Sequence, residues 1–162
     1  TVDVHAGRFT DEFAKLGHLL EDRRDICGER RPEYLNWRYR SGIRFSYTTV
    51  TVRSAGELLA YAVLQQNNAA SITIVEFVCP TDAAIEVALL SALLKISRHC
   101  NAESLQASCM EGGAWCTILK RLGFAAREQS AGPVVYSPKN AKLVDTLTDR
   151  KQWWMTDGDR DG

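Results

Sequence analysis

The chain has 162 residues, 20 of them basic and 20 acidic, so its formal charge is zero. That length suits one domain with a real core, and zero net charge gives no long-range pull towards nucleic acid or an anionic membrane. No apolar run approaches transmembrane length, the first residues lack the pattern of a signal peptide, and a cytoplasmic protein is expected. The cysteines Cys27, Cys79, Cys100, Cys109 and Cys116 form no CxxC pair, and His5, His18 and His99 are equally scattered. Such spacing predicts neither a disulfide framework nor a metal centre.

In chain order, Phe9, Phe13, Leu16 and Leu20 form one stripe, which predicts a helix from about residue 10. The charged run over residues 21–25 reads as its solvated end. A second helix is expected to start near Pro32, carry Tyr34, Leu35, Trp37 and Tyr39, and stop at Ser41 and Gly42. Its aromatics either pack it onto a sheet or, as Trp37, Arg38, Tyr39 and Arg40, edge a substrate cleft. Thr, Val and Tyr content predicts a strand over residues 45–53, followed after a turn by a second over 58–66 and a third over 71–78. Three strands joined by tight turns make an antiparallel meander.

The third strand opens the most apolar stretch of the chain. Strict alternation places Ile72, Ile74, Glu76 and Val78 on one face and Thr73, Val75 and Phe77 on the other, so one carboxylate sits among aliphatics. Both faces are otherwise apolar or Thr, which describes a central strand covered on each side. Pro80 is expected to end it, and Thr81 or Asp82 to cap a helix whose apolar side is Ile85, Leu89, Ala92, Leu93 and Ile96. Glu86, Lys95 and Arg98 supply its wetter side. Such a strand-to-helix junction presents backbone N–H groups and the positive end of a helix dipole to an anion.

After this crossover the strand over residues 104–109 is expected to lie parallel to the central one. Gly112 and Gly113 open a helix over residues 114–122 with Trp115, Ile118, Leu119 and Leu122 facing inward, and Gly123 caps it. Residues 124–129 and 134–137 read as strands, 139–150 as a loop or short helix, and 151–156 as a last strand before a polar tail over 157–162. In that strand Trp153 and Trp154 point to opposite faces, so at least one lines core or cleft; Tyr136 is open to the same two roles. The tail carboxylates Asp157, Asp159 and Asp161 read most simply as solvated. The pattern as a whole is one α/β (α+β) domain over residues 1–162, a single mixed central sheet with helices on both faces.

The segment Leu119-Lys120-Arg121-Leu122-Gly123-Phe124 resembles the helix-ending Tyr-x-Lys-Leu-Gly-Phe phrase of the GNAT superfamily of acyl-CoA-dependent N-acyltransferases. Val78-Cys79-Pro80 is similar to the Val-x-Pro phrase closing that family's central strand, and Leu89-Leu90 to the paired leucines of its next helix. The order of elements also matches, over almost the whole chain.

The resemblance implies a GNAT-like fold and transfer of an acetyl or other acyl group from acyl-CoA to a primary amine of a small molecule or aminosugar. It needs no metal, nucleic acid or membrane, and admits a homodimer. Its alternative is a GNAT-like binding or assembly domain without catalysis, possibly part of a larger protein. It implies Glu76 as general base and Cys116 as a stand-in acid, since the family tyrosine matches Leu119. Acyl-CoA is expected along Phe77, Val78, Ala83, Ala84, Ile85, Glu86 and Val87, and the acceptor near Trp37, Tyr39, Arg40, Tyr136 and Trp154. The family's glycine-rich pyrophosphate loop is replaced here by a segment over residues 81–88 with no glycine and two carboxylates, Asp82 and Glu86.

Overall fold

The computed structural model describes residues 1–21, 26–40, 45–79, 82–127 and 141–159. Its elements run β1 (Val2–His5), α1 (Asp11–Glu21), β2 (Ile26–Cys27), α2 (Pro32–Arg40), β3 (Ser46–Ser54), β4 (Glu57–Asn68), β5 (Ser71–Val78), α3 (Ala83–His99), β6 (Ser104–Ala107), α4 (Ala114–Arg121), α5 (Ala141–Thr148) and β7 (Trp153–Trp154). Short 3-10 turns at Arg150–Gln152 and Asp157–Asp159 flank β7.

Among these residues the main sheet has five strands in the order β1-β3-β4-β5-β6. Neighbours from β1 to β5 are antiparallel, and the crossover through α3 sets β6 parallel to β5, as the meander followed by a helix predicts. Each face has its own core. Leu89, Leu90 and Leu93 of α3 and Trp115 and Leu119 of α4 pack on Val50, Ala62, Ile72, Ile74 and Phe77. Phe13 and Leu16 of α1 and Leu35 and Tyr39 of α2 pack on Tyr61, Val63, Val75 and Val78.

The alternation expected along β5 breaks at one point. Its register with β4 passes from Leu64↔Ile74 to Val63↔Glu76, which leaves Val75 as the extra residue of a bulge. Past the bulge the faces are reset, so Phe77 joins Ile72 and Ile74 under α3, while Val75 and Val78 lie under α1 and α2. Glu76 therefore does not share a face with Ile72 and Ile74 as strict alternation predicts; it turns towards α2.

Other departures lie at the edges. β1, which the sequence pattern does not predict, adds an outer strand whose Val2 and Val4 remain exposed, so no apolar periodicity marks it. β2 and β7 form a separate two-stranded parallel pair, Ile26↔Trp153 and Cys27↔Trp154. Residues 124–127 are not a strand: Phe124 N–H bonds back to the Leu119 carbonyl, and Gly123 has φ 89°, so the chain folds onto the end of α4. Only two residues of the expected strand over 151–156 are extended, because the Asp149 side chain accepts from Lys151 N–H and winds the chain into a turn first. The expected strand over 134–137, with Tyr136, lies outside the described residues, as do Pro80 and Thr81.

The start of α3 is fixed by Asp82, whose Oδ1 accepts from the N–H groups of Ala84 (2.8 Å) and Ile85 (3.4 Å). Asp82→Ala removes that cap and is expected to lower unfolding free energy by about 1 kcal/mol. Urea denaturation of the two proteins checks this through a shifted midpoint at unchanged slope.

Candidate functional site: a buried charge cluster where two strands part

β5 and β6 are paired only from Ser71↔Ser104 to Ile74↔Ala107, after which β5 runs on to Val78 without it. Ser108, the first residue past β6, gives both of its backbone groups elsewhere. Its N–H donates to Asp157 Oδ2 (3.2 Å), and its carbonyl accepts from the Trp115 indole N–H (3.0 Å). On the α3/α4 side Trp115 spans from Ser108 to β5, stacked on Phe77 with ring centroids 4.4 Å apart, and Trp154 lies 5.9 Å behind it.

On the α1/α2 side the bulge presents Glu76 to a cluster of donors. Glu76 Oε1 accepts from Arg30 Nη2 (3.2 Å), Phe77 N–H (3.2 Å) and Thr156 Oγ1 (3.4 Å), and Oε2 from Tyr39 Oη (3.4 Å). Arg30 Nη2 also donates to Asp159 Oδ2 (3.0 Å), and Nη1 to the Gly28 carbonyl. Asp159 Oδ2 further accepts from Thr156 N–H at 2.9 Å. Arg30 is 2% exposed and Glu76 1%, so these charges hold one another in place of water. Gly158 lies over the cluster with its carbonyl accepting from Tyr34 Oη (2.8 Å). A Cβ there would collide with the Tyr39 hydroxyl and come within 2.8 Å of the Val75 carbonyl oxygen, so only glycine fits.

Burial lifts the Glu76 carboxyl above its usual value of 4.5 against the opposing pull of Arg30, and the negative charge of nearby Asp159 adds to the rise. Arg30 stays charged: desolvation, the largest effect on it, favours its neutral form, but Glu76 and Asp159 together raise it. Burial and the nearby Glu76 raise the Tyr39 phenol, which keeps it a donor. Among the described residues, the buried Tyr61 hydroxyl and Arg30 Nε find no hydrogen-bond partner.

The expected site residues divide into those gathered here and those placed elsewhere. Glu76, Phe77, Val78 and Tyr39 converge, Tyr39 as a buried donor to Glu76. Glu76 is paired with Arg30 and also accepts from the Phe77 backbone N–H. Arg40 is exposed and donates to the carbonyls of Ala6 and Gly7, while Trp37 is 64% exposed beside Tyr34. Trp154 is core, packed with Trp115, because β7 turns it inward. Cys116 is buried on α4, and its thiol partner is Cys109, which burial and that hydrogen bond push up to about 12. At the start of α3 the N–H groups of Ala84 and Ile85 serve Asp82, and that of Glu86 the Asp82 carbonyl. Val87 faces solvent, whereas Glu86, expected on the wetter side, is buried and ion-paired with Arg121 of α4. Residues 157–159 of the polar tail are no solvated extension, since Gly158 is buried and the Asp159 side chain is only 8% exposed, while Asp161 lies outside the described residues.

Sequence reasoning missed Arg30, Thr156 and Asp159. Arg30 stands in a run with Glu29 and Arg31, whose side chains are exposed and pair with each other, so nothing local sets it apart. The usable signal was Glu76 itself, since a carboxylate on a covered strand demands a cation.

Solved structures with a similar arrangement include a ribosomal-protein-alanine N-acetyltransferase from Brucella melitensis biovar Abortus 2308, at TM-score 0.58 and 15% identity, covering 84% of this chain and 98% of that one. A GNAT family acetyltransferase from Elizabethkingia anophelis with acetyl-CoA bound matches at TM-score 0.57 and 12% identity, over 79% and 77% of the two chains. A tandem GNAT protein from the clavulanic acid biosynthesis pathway matches at TM-score 0.60 and 13% identity, over 76% of this chain and 43% of that one. The chain has a GNAT-like fold. No protein-family model and no curated protein matches the sequence. Among the described residues of this GNAT-like fold, no group of three or more His, Cys, Asp or Glu side chains is placed to hold a metal ion, and no helix is long and apolar enough to cross a membrane.

Two outcomes follow from the cluster. Arg30→Met leaves Glu76 and Asp159 buried without their cation, and a loss of about 3–5 kcal/mol in unfolding free energy is expected by urea titration. The raised Glu76 carboxyl binds its proton more tightly folded than unfolded, so its contribution is full below 4.5 and is lost as pH rises through the raised value. Glu76→Gln lacks this titration, so the stability of wild type minus that of the variant should fall as pH climbs from about 4.5 towards neutrality; a flat difference would refute the raised carboxyl.

Proposed function

We propose that the chain is an acyl-CoA-dependent N-acyltransferase acting on a primary amine of a small molecule or aminosugar. The parting of β5 from β6 supports this most directly. Past Ile74 the β5 backbone has no β6 partner, leaving an edge along which an extended pantetheine arm can lie as an added strand does. An acyl thioester supplies the activated carbonyl, and an attacking amine needs a base to take its proton. Glu76 Oε2, at the bulge where that edge begins, is the carboxylate in position, and its raised pKa suits a base near neutral pH. Cys116, buried on α4 with Cys109 as its thiol partner, is the candidate acid for the leaving thiolate.

The start of α3 does not fit a pyrophosphate in the arrangement seen. Ala84, Ile85 and Glu86 have spent their N–H groups on Asp82, and the carboxylates of Asp82 and Glu86 lie in the same turn. That observation favours a second reading, a GNAT-like binding or assembly domain without catalysis.

Calorimetry with acetyl-CoA and CoA separates the two. Binding below about 1 mM, with thiol release that depends on an added amine, is the expected result. Glu76→Gln should then lose about a hundredfold or more in kcat while its affinity for acetyl-CoA holds. No binding of either ligand would leave the non-catalytic reading.

A further inference from the structure

The parting of β5 and β6 is occupied by the chain itself. Residues 156–159 bridge its two sides: Asp157 Oδ2 takes the Ser108 N–H past the end of β6, while Gly158 lies on the Val75 carbonyl and the Glu76 carboxylate of β5. Thr156 and Asp159 close the bridge onto Arg30 and Glu76. The contacts that hold this segment to the fold are hydrogen bonds and an ion pair; of its two buried residues, Thr156 is tied by its hydroxyl to Glu76 and Asp159, and Gly158 has no side chain to anchor it.

We infer that residues 156–159 are a built-in occupant of the acyl-transfer site, which must withdraw before an acceptor amine or an acyl thioester can reach Glu76. The inference rests on the acyltransferase reading and adds a closed state to it. With the segment in place, Glu76 has no open side: Gly158 covers Oε2, and Arg30, Phe77 and Thr156 take up Oε1. A base so enclosed meets no substrate. In the closed arrangement the buried Tyr61 hydroxyl and Arg30 Nε have no hydrogen-bond partner among the described residues, so two donors are left unspent. Arg30 keeps Glu76 as partner when Asp159 leaves, so opening does not strand the buried carboxylate.

Hydrogen exchange followed by peptide mass spectrometry, paired with calorimetry, tests this. In the wild-type chain, acetyl-CoA is expected to speed exchange of the Thr156 and Asp159 amides, which are bonded only within the closed segment. Gly158→Ala forces a Cβ onto the Tyr39 hydroxyl and should expel the segment. If the closed form holds about 90% of the population, the variant binds acetyl-CoA about tenfold more tightly. Binding by wild type with unchanged or slower exchange over residues 156–159 overturns the inference and leaves the acyltransferase reading intact, whether or not the variant folds. Equal affinity of wild type and a folded variant does the same. Absence of binding by both, with exchange in the variant already fast, overturns the acyltransferase reading and the inference together.

Discussion

A single guanidinium sets the geometry of the site. Arg30 joins the Gly28 carbonyl next to β2, the Glu76 carboxylate on β5 and the Asp159 carboxylate beyond β7, three places the backbone alone does not bring together. A buried ion pair of this kind is costly to form and more costly to break, so it specifies position better than it adds stability. Two carboxylates against one cation leave the group short of positive charge, and the Tyr39, Thr156 and Phe77 donors make up part of the difference. The bulge at Val75 is what allows it: without the extra residue, Glu76 would point under α3 into the apolar layer of Ile72, Ile74, Leu89 and Trp115.

The sheet and its crossover were legible because they are written as local periodicity. The alternation of the three central strands, the helical spacing of Leu89 and Leu93, and the capping Asp82 each need only a few neighbouring residues to be recognised. The site was legible only as far as Glu76, a charge in an apolar strand. Its partners lie 46 residues before it and 80 after, and no short window holds such a pairing. The bulge was equally hidden, since Val75, Phe77 and Val78 are apolar and suit either face of the sheet. β1 and β2 escaped for another reason: an outer strand and a two-residue strand bury too little to leave a pattern.

The first turn of α3 shows the same economy of charge by other means. A helix start attracts anions, and here the anions are the chain's own. Asp82 occupies two N–H groups, and Glu86, one turn on, is drawn inward to Arg121, tying the start of α3 to the end of α4. Together with the Trp115 indole held by Ser108, this ties the elements on the α3/α4 side of the parting strands to one another. The GNAT-like scaffold is thus kept while the first turn of α3 is satisfied from within.

The sequence distance across the charge cluster also orders the birth of the molecule. Chains are made from the N-terminus, and Arg30 and Glu76 can meet as a neutral pair as soon as β5 exists. Asp159 follows Arg30 by 129 positions and so reaches the cluster only after every strand of the main sheet has been made. The segment that bridges the parted ends of β5 and β6 is therefore the last part of the cluster to be made.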